Sequence, residues 1–419
     1  MSSFASAALA LQRDTPLCDP WLDGRPRLAV EPVWLRPDTF AAVSAAAAGI
    51  AEAHDELARL VSAEPALGER LFWSPWQRGM WQCSAPDWHG IARADVFCTA
   101  SGPRVCELNS DTPSGAAEAV LLGARAAAAA GGAAFDPNHA LAARFVAMVQ
   151  AHAHRCGHQG RLQVGLVYPT EMVEDLSMIA LYRGWLEARG HTVVLGAPFN
   201  LRPAACGRVA LFDVPCDVVV RHYKTDWWGE RLPVRDDEPP VADPFPLRSP
   251  LLALLEASVA RRTAVVNPFG AVLTQNKRAL ALLWELIDRL TPRAAHAVHR
   301  WLPFTARLET VLDQVRHDRA HWVLKSDYGC EGDEVVLGPH VDQATWEDTL
   351  AHAIPHRWIA QRWFDSEPAA DSCVQNLGVY LVGGEPAGLL LRRHAPGATD
   401  GTATIAPVLL PAEPAEASA

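Results

Sequence analysis

The sequence predicts a mixed α/β enzyme built from more than one lobe, and three stretches carry that expectation. Arg93 to Gly115 reads as two short strands joined by Ser-Gly-Pro turn chemistry. Leu162 to Leu195 reads as a βαβ unit: an apolar strand to Tyr168, an amphipathic helix from Glu171 to Arg189 stopped by Gly190, then a second strand. A βαβ unit implies a parallel sheet. Trp322 to Leu337 reads as two strands flanking a loop that holds Gly329 and Gly332.

Taken in order, the chain opens with an irregular stretch broken by Pro16, Pro20, Pro26 and Pro32. Asp38 to Leu60 is Ala-rich with apolar residues at helical spacing. Trp73, Trp76, Trp81 and Trp88 then read as a core layer more readily than as a lid. After the hairpin, helices run to about His154. His152, His154, Cys156 and His158 offer zinc donors, but a two-residue period gathers them on one face only in a strand. Their context is helical, so the polar end of a helix is the expected reading. Val209 to Asp213 and Val218 to His222 read as further strands, and Arg231 to Pro250 as a Pro- and Asp-rich linker. Val374 to Val382 and Gly388 to Leu391 form a hairpin through Gly383-Gly384.

Composition narrows the function. The 419 residues carry a formal charge of −11, so there is no basic excess to neutralise a nucleic-acid backbone. Nine cysteines without a C-x-x-C pair indicate reduced thiols. There is no leader pattern, and the Ala116 to Ala134 run is interrupted by Glu118, Arg125 and two glycines. The expectation is a cytoplasmic protein with no membrane and no nucleic-acid partner. Oligomeric state is left open.

The hairpin carries the chemistry. Folded about Ser101, it sets Asp95 opposite Glu107. Ala94, Val96, Cys98, Cys106 and Leu108 then share an apolar face, and Arg93, Asp95, Glu107 and Asn109 share the other. Opposed carboxylates repel unless neutralised, and a hard divalent cation with oxygen ligands would neutralise them. Being an exposed like-charge pair, they should contribute little to stability. Ser110 to Gly115 then opens onto an Ala-rich helix, placing hydroxyls and backbone N–H groups where anions bind. Farther on, Asn276 is the expected N-cap of a helix, with Lys277 in its first turn. A cation there opposes the helix dipole, which a bound phosphate would offset. Lys325 ends a strand before the glycine loop, whose N–H groups can cover a triphosphate. There is no Walker A or kinase signature.

These residues resemble a known family. Arg-x-Asp followed by Glu-x-Asn-x-Asp-Thr-Pro, then Asn-Pro-Phe with Asn-Lys-Arg-Ala-Leu, is similar to the synthetase domain of glutathionylspermidine synthases, which are circularly permuted ATP-grasp ligases. The resemblance implies an ATP-grasp-like nucleotide lobe preceded by a half-Rossmann domain. It implies Mg²⁺ on Asp95, Glu107 and Asn109, with Arg93 stabilising the reacting carboxyl and phosphoryl groups. It implies ATP on Lys277, Lys325, Gly329, Gly332 and Gln361. Substrate contacts would come from Ser110, Asp111, Ser114, Glu174, Asp175, Thr225 and Arg392. Thr404 stands where the family carries a substrate-contacting acid. The expected units are 1–155 with the metal hairpin, 160–250 as the half-Rossmann domain, and 258–412 as the nucleotide lobe. The implied activity is an ADP-forming amide ligase joining a small-molecule or peptide carboxylate to an amine, a polyamine in the family itself. Only the synthetase portion is resembled, so amide formation without hydrolysis is expected. Two alternatives stand beside it: an ATP-binding regulator without activity, and a peptide ligase with unrelated substrates.

Overall fold

In the computed structural model, residues 3–412 are described except 171, 173, 174, 331, 333, 370, 398 and 400. Helix α1 (Pro37–Ala63) starts with proline at its first turn and stops before Pro65, since a residue preceding proline disfavours helix. Its Val43, Ile50, Leu57 and Val61 are buried. The hairpin follows as β1 (Ile91–Thr99) and β2 (Gly102–Asn109), then α2 (Ala116–Ala130). The βαβ unit is β3 (Gln163–Val167), α3 (Leu176–Ala188) and β4 (Thr192–Gly196), with β5 (Val218–Arg221) and β6 (Ala264–Val266) later in the chain. Helix α4 (Arg278–Glu285) leads to β7 (Thr305–Arg307), α5 (Leu308–His317), β8 (Trp322–Ser326), β9 (Val335–Leu337), α6 (Gln343–His352) and β10 (Trp358–Arg362). The chain returns through β11 (Val374–Val382), β12 (Glu385–His394) and β13 (Thr404–Ala406).

Three larger sheets organise these strands. β6-β5-β3-β4 is parallel, and the burial of Val164, Leu166, Val218, Val219 and Val220 fits a sheet covered on both faces. β7-β10-β8-β9 is antiparallel, and Trp322, Leu324, Trp346, Trp358 and Ala360 pack it against α5 and α6. β13-β12-β11-β1-β2 is antiparallel and joins the hairpin to the C-terminal strands. Its core face carries Ala94, Val96, Val105, Leu108, Leu377, Val379 and Leu391 in the same apolar cluster as the buried face of α1. The mixed α/β, ATP-grasp-like class with a half-Rossmann sheet is what the sequence predicts. The sheets do, however, run across the expected units: β6 completes the parallel sheet, and β11 pairs with β1.

Several local expectations change. Helix α3 runs from Leu176 with Asp175 at its N-cap, and the expected start at Glu171 lies outside the described residues. Trp73, Trp81 and Trp88 are buried core, and Trp76 packs on Phe245. His152 and His154 sit on the helix Leu141–Arg155, and His152 Nε2 lies 3.0 Å from the His89 carbonyl. Among the described residues, the donors from 152 to 158 do not gather into a metal-binding group. No helix there is long and apolar enough to cross a membrane.

Candidate active site

A cleft of about 500 Å³ opens between the three sheets. The hairpin supplies Arg93, Asp95, Glu107 and Asn109 to it, and register sets Asp95 against Glu107 and Arg93 against Asn109. The ladder shifts register between Asp95/Glu107 and Val96/Val105. This bulge corrects the expected apolar face: Val105 takes the core position, and Cys106 turns to line the cleft. Burial pushes the Cys106 thiol up to about 12, so it is no thiolate nucleophile.

Asp95 is not an exposed charge. It is 1% exposed. Its Oδ1 accepts from Arg93 Nε at 2.7 Å, and its Oδ2 from Arg93 Nη2 at 3.2 Å, Arg392 Nη2 at 2.6 Å and Asn109 Nδ2 at 3.3 Å. Burial alone would raise its pKa, but the guanidinium groups of Arg392 and Arg93 outweigh it and hold the carboxyl below its usual range. Asp95 is therefore neutralised by its own neighbours. Gly378 makes this possible. It lies opposite Asp95, and a Cβ there would stand 2.6 Å from Arg93 Cδ. Arg93 Nη1 also donates to the Ser114 carbonyl at 2.9 Å, which Tyr380 shares at 2.7 Å.

The two lysines behave differently from each other. Lys325 lines the cleft, and its Nζ donates to Gln361 Oε1 at 3.0 Å and to the Cys106 carbonyl at 3.2 Å. Gln361, on the central strand β10, passes the contact on to Thr305 Oγ1 at 3.0 Å. Lys277 is 4% exposed and lies behind the lining. It sits at the N-cap of α4, one residue later than expected, while Asn276 Oδ1 accepts from the Arg278 N–H at 2.8 Å. Its Nζ donates to the Gly329 carbonyl at 2.5 Å and lies 3.8 Å from Glu107 Oε2. Gly332 lines the cleft, and its φ of +82° suits a residue without Cβ.

The substrate residues divide. Ser114, Asp175 and Arg392 line the cleft. Ser110 does not: its hydroxyl is buried 2.6 Å from Thr274 Oγ1. Asp111 is paired at 2.7 Å with the fully buried Arg221 and accepts from the Thr225 N–H. Asp111 and Thr225 thus brace the wall from behind, and Glu174 lies outside the described residues. In the same turn, Lys224 and Trp227 face the cleft, where the sequence singled out Thr225. Asn376 pairs with Arg392 across β11 and β12. Its Oδ1 and Arg392 Nε are buried without a hydrogen-bond partner among the described residues, open to a ligand's polar groups.

The oxygen set fits a hard cation. Asp95 Oδ1 accepts one hydrogen bond and keeps a lone pair, and Asn109 Nδ2 lies 3.1 Å from Glu107 Oε1. Turning that amide exchanges its nitrogen for its oxygen at the same place. Four cations (Arg93, Lys277, Lys325 and Arg392) meet two carboxylates here, so the cluster is net positive and suits a polyphosphate.

Comparison with known proteins bears on the far wall. Residues 246–411 match the family model described as glutathionylspermidine synthase preATP-grasp. That stretch holds Lys277, Lys325, Gly329, Gly332, Gln361 and Arg392, while the hairpin lies before it. A solved glutathione synthetase-like effector from Globodera pallida, in apo form, is similar at 11% identity and a TM-score of 0.56, over 97% of this chain and 96% of that one. At this identity the likeness is one of fold. A putative gamma-glutamylcysteine synthetase from Methylobacillus flagellatus KT is looser, at 14% identity and a TM-score of 0.46, over 83% of each chain. No curated protein sequence matches the chain.

Proposed function

We propose that this protein is an ATP- and Mg²⁺-dependent carboxylate–amine ligase, glutathionylspermidine synthase-like, that forms an amide through an acyl phosphate and releases ADP. One observation carries the reading. A single cleft collects Arg93, Lys325 and Arg392, an acidic pair with an amide beside it, and a glycine loop at its rim. Phosphoryl transfer asks the protein mainly for positioning and charge stabilisation, and these groups supply both.

Lys325 and Gln361 would hold the nucleotide against the β7-β10-β8-β9 sheet, and Gly329 and Gly332 would present the loop over its phosphates. Lys277 would exchange the Gly329 carbonyl for a phosphate oxygen. Arg93 retains N–H groups beyond those given to Asp95 and Ser114, and these would meet the transferring phosphoryl. Arg392, with its unpartnered Nε, would orient the acid substrate. Mg²⁺ on Asp95, Glu107 and Asn109 would screen the phosphoryl charge. The acid is a small molecule or peptide and the amine a small, polyamine-like base. The nine free cysteines support a reducing, cytoplasmic setting.

The test is Lys325→Met. ATP affinity, read by isothermal titration with Mg²⁺, should fall at least about tenfold, the equivalent of one lost charge-assisted contact of roughly 1.5–3 kcal/mol. Unchanged affinity would remove Lys325 from the nucleotide site.

A further inference from the structure

The cleft's second wall is chemically unlike the first. It is built at the C-terminal ends of the parallel strands, the edge where open α/β sheets bind ligands. Pro169, Met172 and Asp175 follow β3, and His222, Lys224 and Trp227 follow β5. Here His222 Nε2 lies 3.1 Å from Asp175 Oδ1, with His222 5% exposed and Asp175 9% exposed. The imidazole also meets the Tyr182 ring edge-on, 6.1 Å between centroids. A proton on Nε2 directed at Asp175 leaves the Nδ1 lone pair free, and Nδ1 has no hydrogen-bond partner among the described residues.

The proposed reaction needs a proton acceptor. The amine arrives as an ammonium ion and must lose a proton to attack. The first wall is already committed: Arg93, Lys325 and Arg392 are cations, Asp95 is held by two guanidinium groups, Glu107 is assigned to the Mg²⁺ site, and Cys106 is a neutral thiol. We infer that His222 is the general base for the amine half-reaction and that Asp175 is its positioning residue; the inference rests on the ligase reading. The ammonium gives one proton to His222 Nδ1, the freed amine nitrogen bonds to the acyl carbon, the bond from that carbon to the phosphate oxygen breaks with its electron pair, and the nitrogen's second proton leaves with the phosphate. Around the ring, Asp175 and Tyr182 come from α3. Arg221 and Lys224 flank it in sequence, committed to Asp111 and to Asp226 and the Tyr328 carbonyl.

Two nucleophiles separate this role from wall-filling. Wild type and His222→Gln are supplied with ATP, Mg²⁺ and a carboxylate pool of glutathione and the standard amino acids. The amine is either spermidine or hydroxylamine, which is already neutral at pH 7. The variant should lose at least about 100-fold in spermidine amide formation, the lower end for general-base catalysis. Hydroxamate formation should persist, which also shows that the variant folds. High pH should restore the spermidine rate. Asp175→Ala removes the acceptor that holds Nε2 and so orients the ring, and it should lower the spermidine rate while hydroxamate formation persists. Equal loss, or equal retention, with both nucleophiles would overturn the base. Wild type that forms neither product would overturn the ligase reading and the base with it.

Discussion

Asp95 shows how much a single residue's meaning depends on its neighbours. Its pairing with Glu107 was legible, because alternation and one turn determine which residues face each other across a hairpin. Arg392 was not legible as its partner, since the two stand 297 positions apart in the chain. Nor was the bulge at Cys106, which depends on the register of the ladder rather than on residue type. Asp95→Asn leaves the buried Arg93 and the half-buried Arg392 short of a counter-charge. Breaking a buried pair costs about 3–5 kcal/mol, so the variant's urea midpoint should drop markedly and Mg²⁺-dependent turnover should be lost. The acid dependence follows in sign. A folded pKa held below the unfolded value of about 3.9 stabilises the protein above that pH, and the stabilisation is lost as pH falls through the folded value. The variant should therefore unfold with less acid sensitivity below about pH 4 than wild type. An unchanged midpoint would contradict the paired geometry.

At the scale of elements, the glycine loop and the start of α4 form one device. Two lysines hold the loop's carbonyls: Lys277 at Gly329 and Lys224 at Tyr328. ATP-Mg²⁺ should draw Lys277 away and lay the loop on the phosphates. Limited proteolysis between 326 and 334 should then slow in its presence, and equal cleavage rates would deny the loop a covering role. A second device is Asn267. Its Oδ1 accepts from the Ile91 N–H at 2.9 Å, and its Nδ2 meets the carbonyls of Ile91, Ser110 and Asp111 at 2.7, 2.8 and 2.7 Å. One buried amide thus ties β6 to the hairpin. Asn267→Ala strands several buried polar groups, each costing about 1–3 kcal/mol, and should lower unfolding stability by at least about 3 kcal/mol. A loss below about 1 kcal/mol would show that the seam is held elsewhere. The Asn-Pro-Phe run drew notice in the sequence through resemblance, but its role as a clip needed the fold. Lys224 and Trp227 likewise lay in a quoted stretch, yet only the turn's orientation separates them from Thr225.

Across the whole molecule, three sheets meet at one cleft, and each brings a different part of the chemistry. The parallel sheet was legible from its βαβ period and apolar strands. The five-stranded sheet was not, because β11 and β1 come from opposite ends of the chain and neither strand names its partner. Two of the sheets draw strands from more than one of the expected stretches, and the grouping of Arg93, Lys325 and Arg392 follows from the sheets closing on each other. The proposal that this grouping forms an acyl phosphate is tested most directly by oxygen transfer. With ATP, Mg²⁺, an amine and the accepted acid labelled with ¹⁸O in its carboxylate, one labelled oxygen should appear in the inorganic phosphate released for each amide formed. Unlabelled phosphate during amide formation, or AMP and pyrophosphate in place of ADP, would contradict it.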